Sequence, residues 1–233
     1  MTEAKQIITD SKNVYLITSQ EPEALACTLA LFYTLKELGK NVNLLTEKLP
    51  DRLNFLAPSL DFISYPKNFV ISVPNSVAQI SQIYYEKNND ALKLHLTLEK
   101  GDIKKDNVAF YFQEKQPDLI ICIGVKDYYK ELSEKLNSFA FLMNSPILNI
   151  DNSKDNKNFG KINIIEEKSL AEIILEVSEN SGKEYSKCLL TSLVIYTDNF
   201  KKNLTANIFK LTSDLMNNEA DLKEIVNNVY KLP

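Results

Sequence analysis

Apolar residues recur along this chain in two rhythms. Short unbroken runs predict strands buried on both faces: "NVYLITS" (13–19), "NVNLLTEK" (41–48), "PDLIICIG" (117–124) and "PILNID" (146–151). Longer stretches with helical spacing separate them. In "EPEALACTLALFYTLKELGK" the apolar positions Leu25, Leu29, Phe32 and Leu35 share one face, Pro22 suits the first turn and Gly39 stops the helix. This opening strand–helix–strand unit predicts a right-handed parallel crossover. "LPDRLNFLAP" reads as a short helix. "VKDYYKELSEKLNSF", "SLAEIILEVSENSG" (169–182), "EYSKCLLTSLVIYTD" (184–198), "TANIFKLTSDLMNNEA" and "DLKEIVNNVYK" also read as helices. Gly182 is expected to end one of them and Asp221 to cap the last.

Residues 69–113 change rhythm. "FVISVP" and "NVAFYFQ" are strand-like, and "QISQIYYEKNNDALKLHLTLEKGDI" alternates apolar and polar residues in two runs. "KNND" and "EKGD" are the expected turns. The pattern predicts a small antiparallel β meander, solvated on one face, inserted into a parallel α/β domain that spans 1–233.

Composition narrows the classes. The chain has 233 residues, 44% hydrophobic and 25% charged, with net charge -4. That suits a soluble globular protein and offers no global basic field for nucleic acid or an anionic membrane. No apolar run reaches the ~20 residues of a membrane span. The N-terminal "MTEAKQIITDSKN" lacks the apolar core of a signal peptide. The three cysteines, Cys27, Cys122 and Cys188, lie far apart in apolar segments, match no zinc spacing and read as buried thiols of a cytoplasmic protein. With five glycines in all, neither GxGxxG nor a Walker pattern occurs. In Tyr84-Tyr85 and Tyr128-Tyr129, one ring of each pair is expected inside and the other at the surface.

Taken in order, several segments resemble the DHH phosphoesterases, the family of RecJ-type exonucleases, nano-RNases and cyclic-dinucleotide phosphodiesterases. In "ILNIDNSKDNKNFGKINIIEEKSLAEIILEV", Asp151, Asn156, Phe159, Gly160, Ser169, Ala171 and Glu172 stand at family places. So do Thr205, Phe209, Leu215, Ala220 and Asp221 in the stretch after "LLTSLVIYTD". "YLITSQEPEALACTLALFYTLKELGKNV" is similar to the first family motif, a strand leading into His-x-Asn-Pro-Asp-x-Asp and an apolar helix. The resemblance implies a parallel-sheet DHH-like domain. It also implies two Mn²⁺ or Mg²⁺ ions that clamp a phosphate and activate a water, held by carboxylates and imidazoles.

The ligand places have changed. Ser19 or Gln20 replaces the first-motif histidine, and Glu23 is the remaining carboxylate in that motif. Gly124 stands where the second motif has an aspartate. Asp151 persists in the third, but its two histidines are Asn152 and Ser153. Tyr196 takes the place of the last aspartate, with Asp198 two residues on. The sole histidine, His95, lies in the meander segment. The family also carries a C-terminal substrate-binding domain that this sequence does not present.

Each survivor has a plainer reading. Asp151 suits a loop that accepts backbone N–H bonds, Glu23 a first-turn carboxylate, and Asp198 a turn initiator. Lys154, Lys157 and Lys161 are candidate anion contacts beside the cleft. Three functions stand open. The first is a pseudoenzyme that binds a nucleotide or phosphorylated ligand, or serves as a scaffold, with no cofactor. The second is an active phosphoesterase on short oligonucleotides or cyclic dinucleotides, with Mn or Mg held by Glu23, Asp151 and Asp198. The third is a module that binds a protein partner through the meander's edge.

Overall fold

The computed structural model describes residues 1–45, 49–57, 67–114, 116–133, 145–178 and 182–230. The chain divides into two compact units, residues 1–65 with 116–233 and residues 66–115. In the first unit, helix α1 (Thr2–Asp10) precedes strand β1 (Asn13–Thr18), helix α2 (Pro22–Glu37) and strand β2 (Asn41–Leu45). A 3₁₀ turn covers Asp51–Leu56. The second unit holds β3 (Lys67–Ser72), β4 (Ala78–Lys87), β5 (Leu92–Gly101) and β6 (Ala109–Glu114).

The first unit resumes with β7 (Leu119–Ile123), a short helix α3 (Tyr128–Glu131), β8 (Ile147–Asp151) and β9 (Ile162–Ile165). Four helices follow: α4 (Leu170–Val177), α5 (Gly182–Tyr196), α6 (Ala206–Asn217) and α7 (Leu222–Val229). The expected helix beyond residue 133 lies outside the described residues as far as 144. One helix adds to the expected elements and one expectation is corrected. The polar N-terminus forms a helix, because Ala4 and Ile8 suffice as a buried stripe. Gly182 begins α5 and does not end α4, which stops at Val177.

The parallel sheet has five strands in the order β2-β1-β7-β8-β9. Side chains alternate across it, as pleating requires. Val14, Leu16, Ile121 and Ile123 join the larger core, packed with α2, α4 and α5. Tyr15, Ile17, Ile120 and Cys122 face the other way, onto Val125, Tyr128 and Leu132. Both faces are covered, so the strands read as unbroken apolar runs. Helix α2 packs broadly on α5 and is buried from Ala24 to Leu35. Cys27 and Ser192 meet at that seam, Sγ to Oγ 3.1 Å. All three cysteines are buried free thiols. Tyr128 is inside and Tyr129 exposed, whereas Tyr84 and Tyr85 are both exposed.

Helix starts are built from residues that the family resemblance singled out. Ser169 and Glu172 form a capping box on α4: Ser169 Oγ accepts the Glu172 N–H (3.3 Å) and Glu172 Oε2 accepts the Ser169 N–H (3.2 Å). Thr205 caps α6 through the Ile208 N–H. Asp221 caps α7 through the N–H groups of Lys223 and Glu224.

In the second unit the pairing is antiparallel, but the connectivity is nested where a meander was expected. β4 pairs with β5, and β3 with β6. "KNND" makes the β4–β5 turn, with Asn88 Oδ1 accepting from Asp90 and Ala91 N–H. "EKGD" joins no paired strands, because β5 runs through Gly101 and β6 returns to β3.

Candidate functional site

The strand order reverses between β1 and β7: β2 lies on one side of β1, and β7, β8 and β9 lie on the other. In such sheets the carboxyl ends of the strands at the reversal open a crevice. Here a cleft of about 340 Å³ lies there. Ser19 and the first turn of α2 (Glu21 to Ala24) line it from β1; Gly124 and Lys126 from β7; Asp151, Asn152 and Ser153 from β8. Leu170 at the start of α4 closes one wall, and Ile195, Tyr196, Lys202 and Asn203 close another.

Asp151 is almost fully buried, and both its oxygens are engaged. Oδ1 accepts the Asn152 backbone N–H at 2.8 Å and Oδ2 accepts the Asn156 amide at 2.8 Å. Asn156 also donates to the Val125 carbonyl (2.9 Å) and accepts from Asn149 Nδ2 (2.7 Å) and the Asn158 N–H (2.8 Å). Asn149 donates onward to Asn163 Oδ1 at 2.9 Å. This chain of amides ties the 152–161 loop to the sheet and fixes the Asp151 carboxylate. Phe159 anchors the same loop by stacking on Tyr128, ring centroids 5.2 Å apart.

Glu23 reaches across the cleft. Its Oε1 accepts the Leu170 N–H at 2.8 Å, one of the donors left over at the start of α4, and the Asn152 amide at 3.5 Å. Burial lifts its pKa from the ordinary carboxylate value to about 7, more than these bonds lower it, and the nearby Asp151 and Glu21 charges add to the rise. Gly124 has φ +68°, and a Cβ there would sit 2.7 Å from Ala24 Cβ and 2.9 Å from Ser19 Oγ. No side chain fits at position 124 without displacing these neighbours.

The remaining expected positions separate. Ser19, Ser153 and Tyr196 line the cleft. Gln20 is exposed and outside its lining, as are Lys154, Lys157 and Lys161. Lys154 is held by Glu167 at 2.7 Å. Asp198 also lies outside the lining and accepts from the Tyr230 hydroxyl at 3.3 Å. It opens three successive residues, Asp198, Asn199 and Phe200, with φ between 49° and 58°. That left-handed turn, costly for residues with a Cβ, delivers Lys202 and Asn203 to the cleft. Lys126 and Lys202 are thus the lysines that line it, and sequence reasoning missed both. Lys126 could have been found from its place two residues beyond Gly124 at a strand end.

The two divalent ions that the resemblance implies can be tested against this donor set. Glu23 and Asp151 are the expected carboxylates that line the cleft, and Asp151 has both oxygens in hydrogen bonds. His95 belongs to the other unit. Among the described residues no group of three or more His, Cys, Asp or Glu could hold a metal ion. Hard divalent ions need several oxygen donors each, and these residues do not fit a pair of them.

No protein-family model and no curated protein matches the chain. A solved structure does. The crystal structure of an exopolyphosphatase-related protein from Bacteroides fragilis superposes with a TM-score of 0.69 at 15% sequence identity. The match covers 100% of this chain and 62% of the other, so the chain spans less than two thirds of its neighbour's length. At that identity the likeness is one of fold: an α/β architecture shared with that exopolyphosphatase-related protein. No described helix is long and apolar enough to cross a membrane.

Proposed function

We propose that this chain is a DHH-like phosphoesterase relative whose cleft binds a small phosphorylated ligand, a nucleotide or a related phosphate, without two-metal hydrolysis. The observation that carries the reading is the composition of the cleft. The changed ligand places Ser19, Gly124, Asn152, Ser153 and Tyr196 share one cavity with Lys126 and Lys202. Hydroxyls and amides donate to phosphate oxygens, and two lysines supply the charge that metal ions supply in the family. Glu23, with its pKa near 7, is about half neutral at neutral pH, which lowers its repulsion of an anion. The metal-dependent alternative expected Asp198 as its third carboxylate, and Asp198 is engaged with Tyr230 outside the lining.

Calorimetric titration tests the reading. The probes are AMP, ATP, a cyclic dinucleotide and, because the structural neighbour is described as exopolyphosphatase-related, a short inorganic polyphosphate. Binding is expected in the presence of EDTA, and Lys126→Ala with Lys202→Ala should weaken it at least ~10-fold, in line with the loss of charge-assisted hydrogen bonds. No binding by any probe, or binding indifferent to both lysines, contradicts it.

A further inference from the structure

The β4–β5 hairpin in the second unit has one apolar face, and most of it is bare. Its register pairs Ile83 with Leu96, Tyr85 with Leu94 and Lys87 with Leu92, so these side chains share a face. Two register shifts extend it. Glu99 on β5 and Ser81 on β4 have no opposite residue, and between them Ile80 pairs with Leu98. Ser81 Oγ donates to the Thr97 carbonyl at 3.1 Å and steadies the irregularity. Strict alternation would place Ile80 with Gln82 and Tyr84; the shift places it with the apolar set. Ile83, Tyr85, Leu92 and Leu94 are each at least 50% exposed. The opposite face is polar: Gln82 pairs with Thr97, Glu86 with Lys93, and the His95 ring stacks on Tyr84 at 4.5 Å.

We propose that two copies of this chain associate through the apolar face of the β4–β5 hairpin. A two-stranded ribbon is marginal in water unless its apolar face is covered, and a contiguous bare patch of this kind marks an interface. The size fits a dimer. Ile83, Tyr85, Leu92 and Leu94 are at least half exposed, Leu98 is 36% exposed, and Ile80 and Leu96 are partly covered, so complete burial of the face would remove at most roughly 700 Å² per copy, a little under the ≈ 800 Å² per partner of a standard specific interface. The charge fits a self-contact. Residues 66–115 hold seven lysines against six Asp and Glu, a net charge of +1, so the unit neither repels a copy of itself nor attracts a strongly charged partner. Two amphipathic ribbons packed face to face put both polar faces outward, and a twofold contact of this kind closes at two copies.

Sedimentation of the full chain over a range of concentrations tests the proposal. The wild type is expected at twice 26.6 kDa. Ile83→Glu and Leu94→Glu, at exposed positions where folding is undisturbed, should raise the dissociation constant at least ~100-fold, since charge at the centre of an apolar contact is strongly unfavourable. Unchanged circular dichroism checks that they fold, and Tyr85→Lys serves as a second probe of the face. Thr97→Glu, on the polar face, should leave the dimer intact. A wild type that stays monomeric at its highest soluble concentration overturns the proposal. So does a dimer that the apolar-face variants leave unchanged, or one that Thr97→Glu disrupts equally.

Discussion

Glu23 and Asp151 show how one carboxylate type takes different work from its surroundings. Asp151 is satisfied by one N–H and one amide, and its role is to hold the loop that carries Asn152 and Ser153. Glu23 is partly buried, and its desolvation outweighs the bonds it accepts, so its acid form is favoured and its pKa rises to about 7. Folding raises that pKa, so the stability it contributes is present in full below the unfolded carboxylate value and is lost as pH rises through about 7. Glu23→Gln keeps an acceptor for the Leu170 N–H but does not titrate. From pH 4.5 to pH 7 the wild type should lose stability relative to the variant, by roughly 1–3 kcal/mol. Denaturant midpoints of the two proteins at pH 5 and pH 8 provide the check; parallel pH curves would refute the assignment. Asp151 was visible in the sequence as a strand-end carboxylate. The bond from Glu23 to Leu170, 147 residues away in the chain, has no local signature.

The elements that hold the cleft depend on polar residues with few substitutes. Asn156 is the centre of the loop between β8 and β9, with bonds to Asp151, Val125, Asn149 and Asn158. Asn156→Ala should cost about 2–4 kcal/mol by leaving buried partners unsatisfied, and should loosen the 152–161 loop. Chemical denaturation with hydrogen exchange of that loop measures both; a loss under ~0.5 kcal/mol, the scale of an ordinary surface substitution, would contradict the network. The same residues explain what could be read beforehand. β1, β7 and β8 were legible because both faces of the sheet are covered and the runs are unbroken. The caps Ser169, Thr205 and Asp221 were legible as family places, and they serve as N-caps of α4, α6 and α7. Helix α1 was not, since its apolar stripe is short: Ala4 and Ile8, with Ile7 partly buried beside them. Nor was the β3–β6 pairing, which joins strands far apart in sequence with no turn of its own. Local turn signals favoured a meander for that reason.

Across the whole molecule, under the proposed reading, the residues that agree with the pattern the resemblance implies are those that shape the chain, and the residues that differ are those that would touch metal and phosphate. Capping residues and the Asn156 and Phe159 anchors reproduce the cleft's frame. Gly124 packs against Ala24 and Ser19 so closely that a carboxylate could not be placed there by one substitution. The chain matches no family model and shares its fold with an exopolyphosphatase-related protein at 15% identity. The central claim is that this cleft does not work through two metal ions. The most direct test is elemental analysis after manganese loading, combined with turnover of short oligoribonucleotides and cyclic dinucleotides. The account predicts substoichiometric manganese and no product. Stoichiometric manganese with turnover that disappears in Asp151→Ala would contradict it.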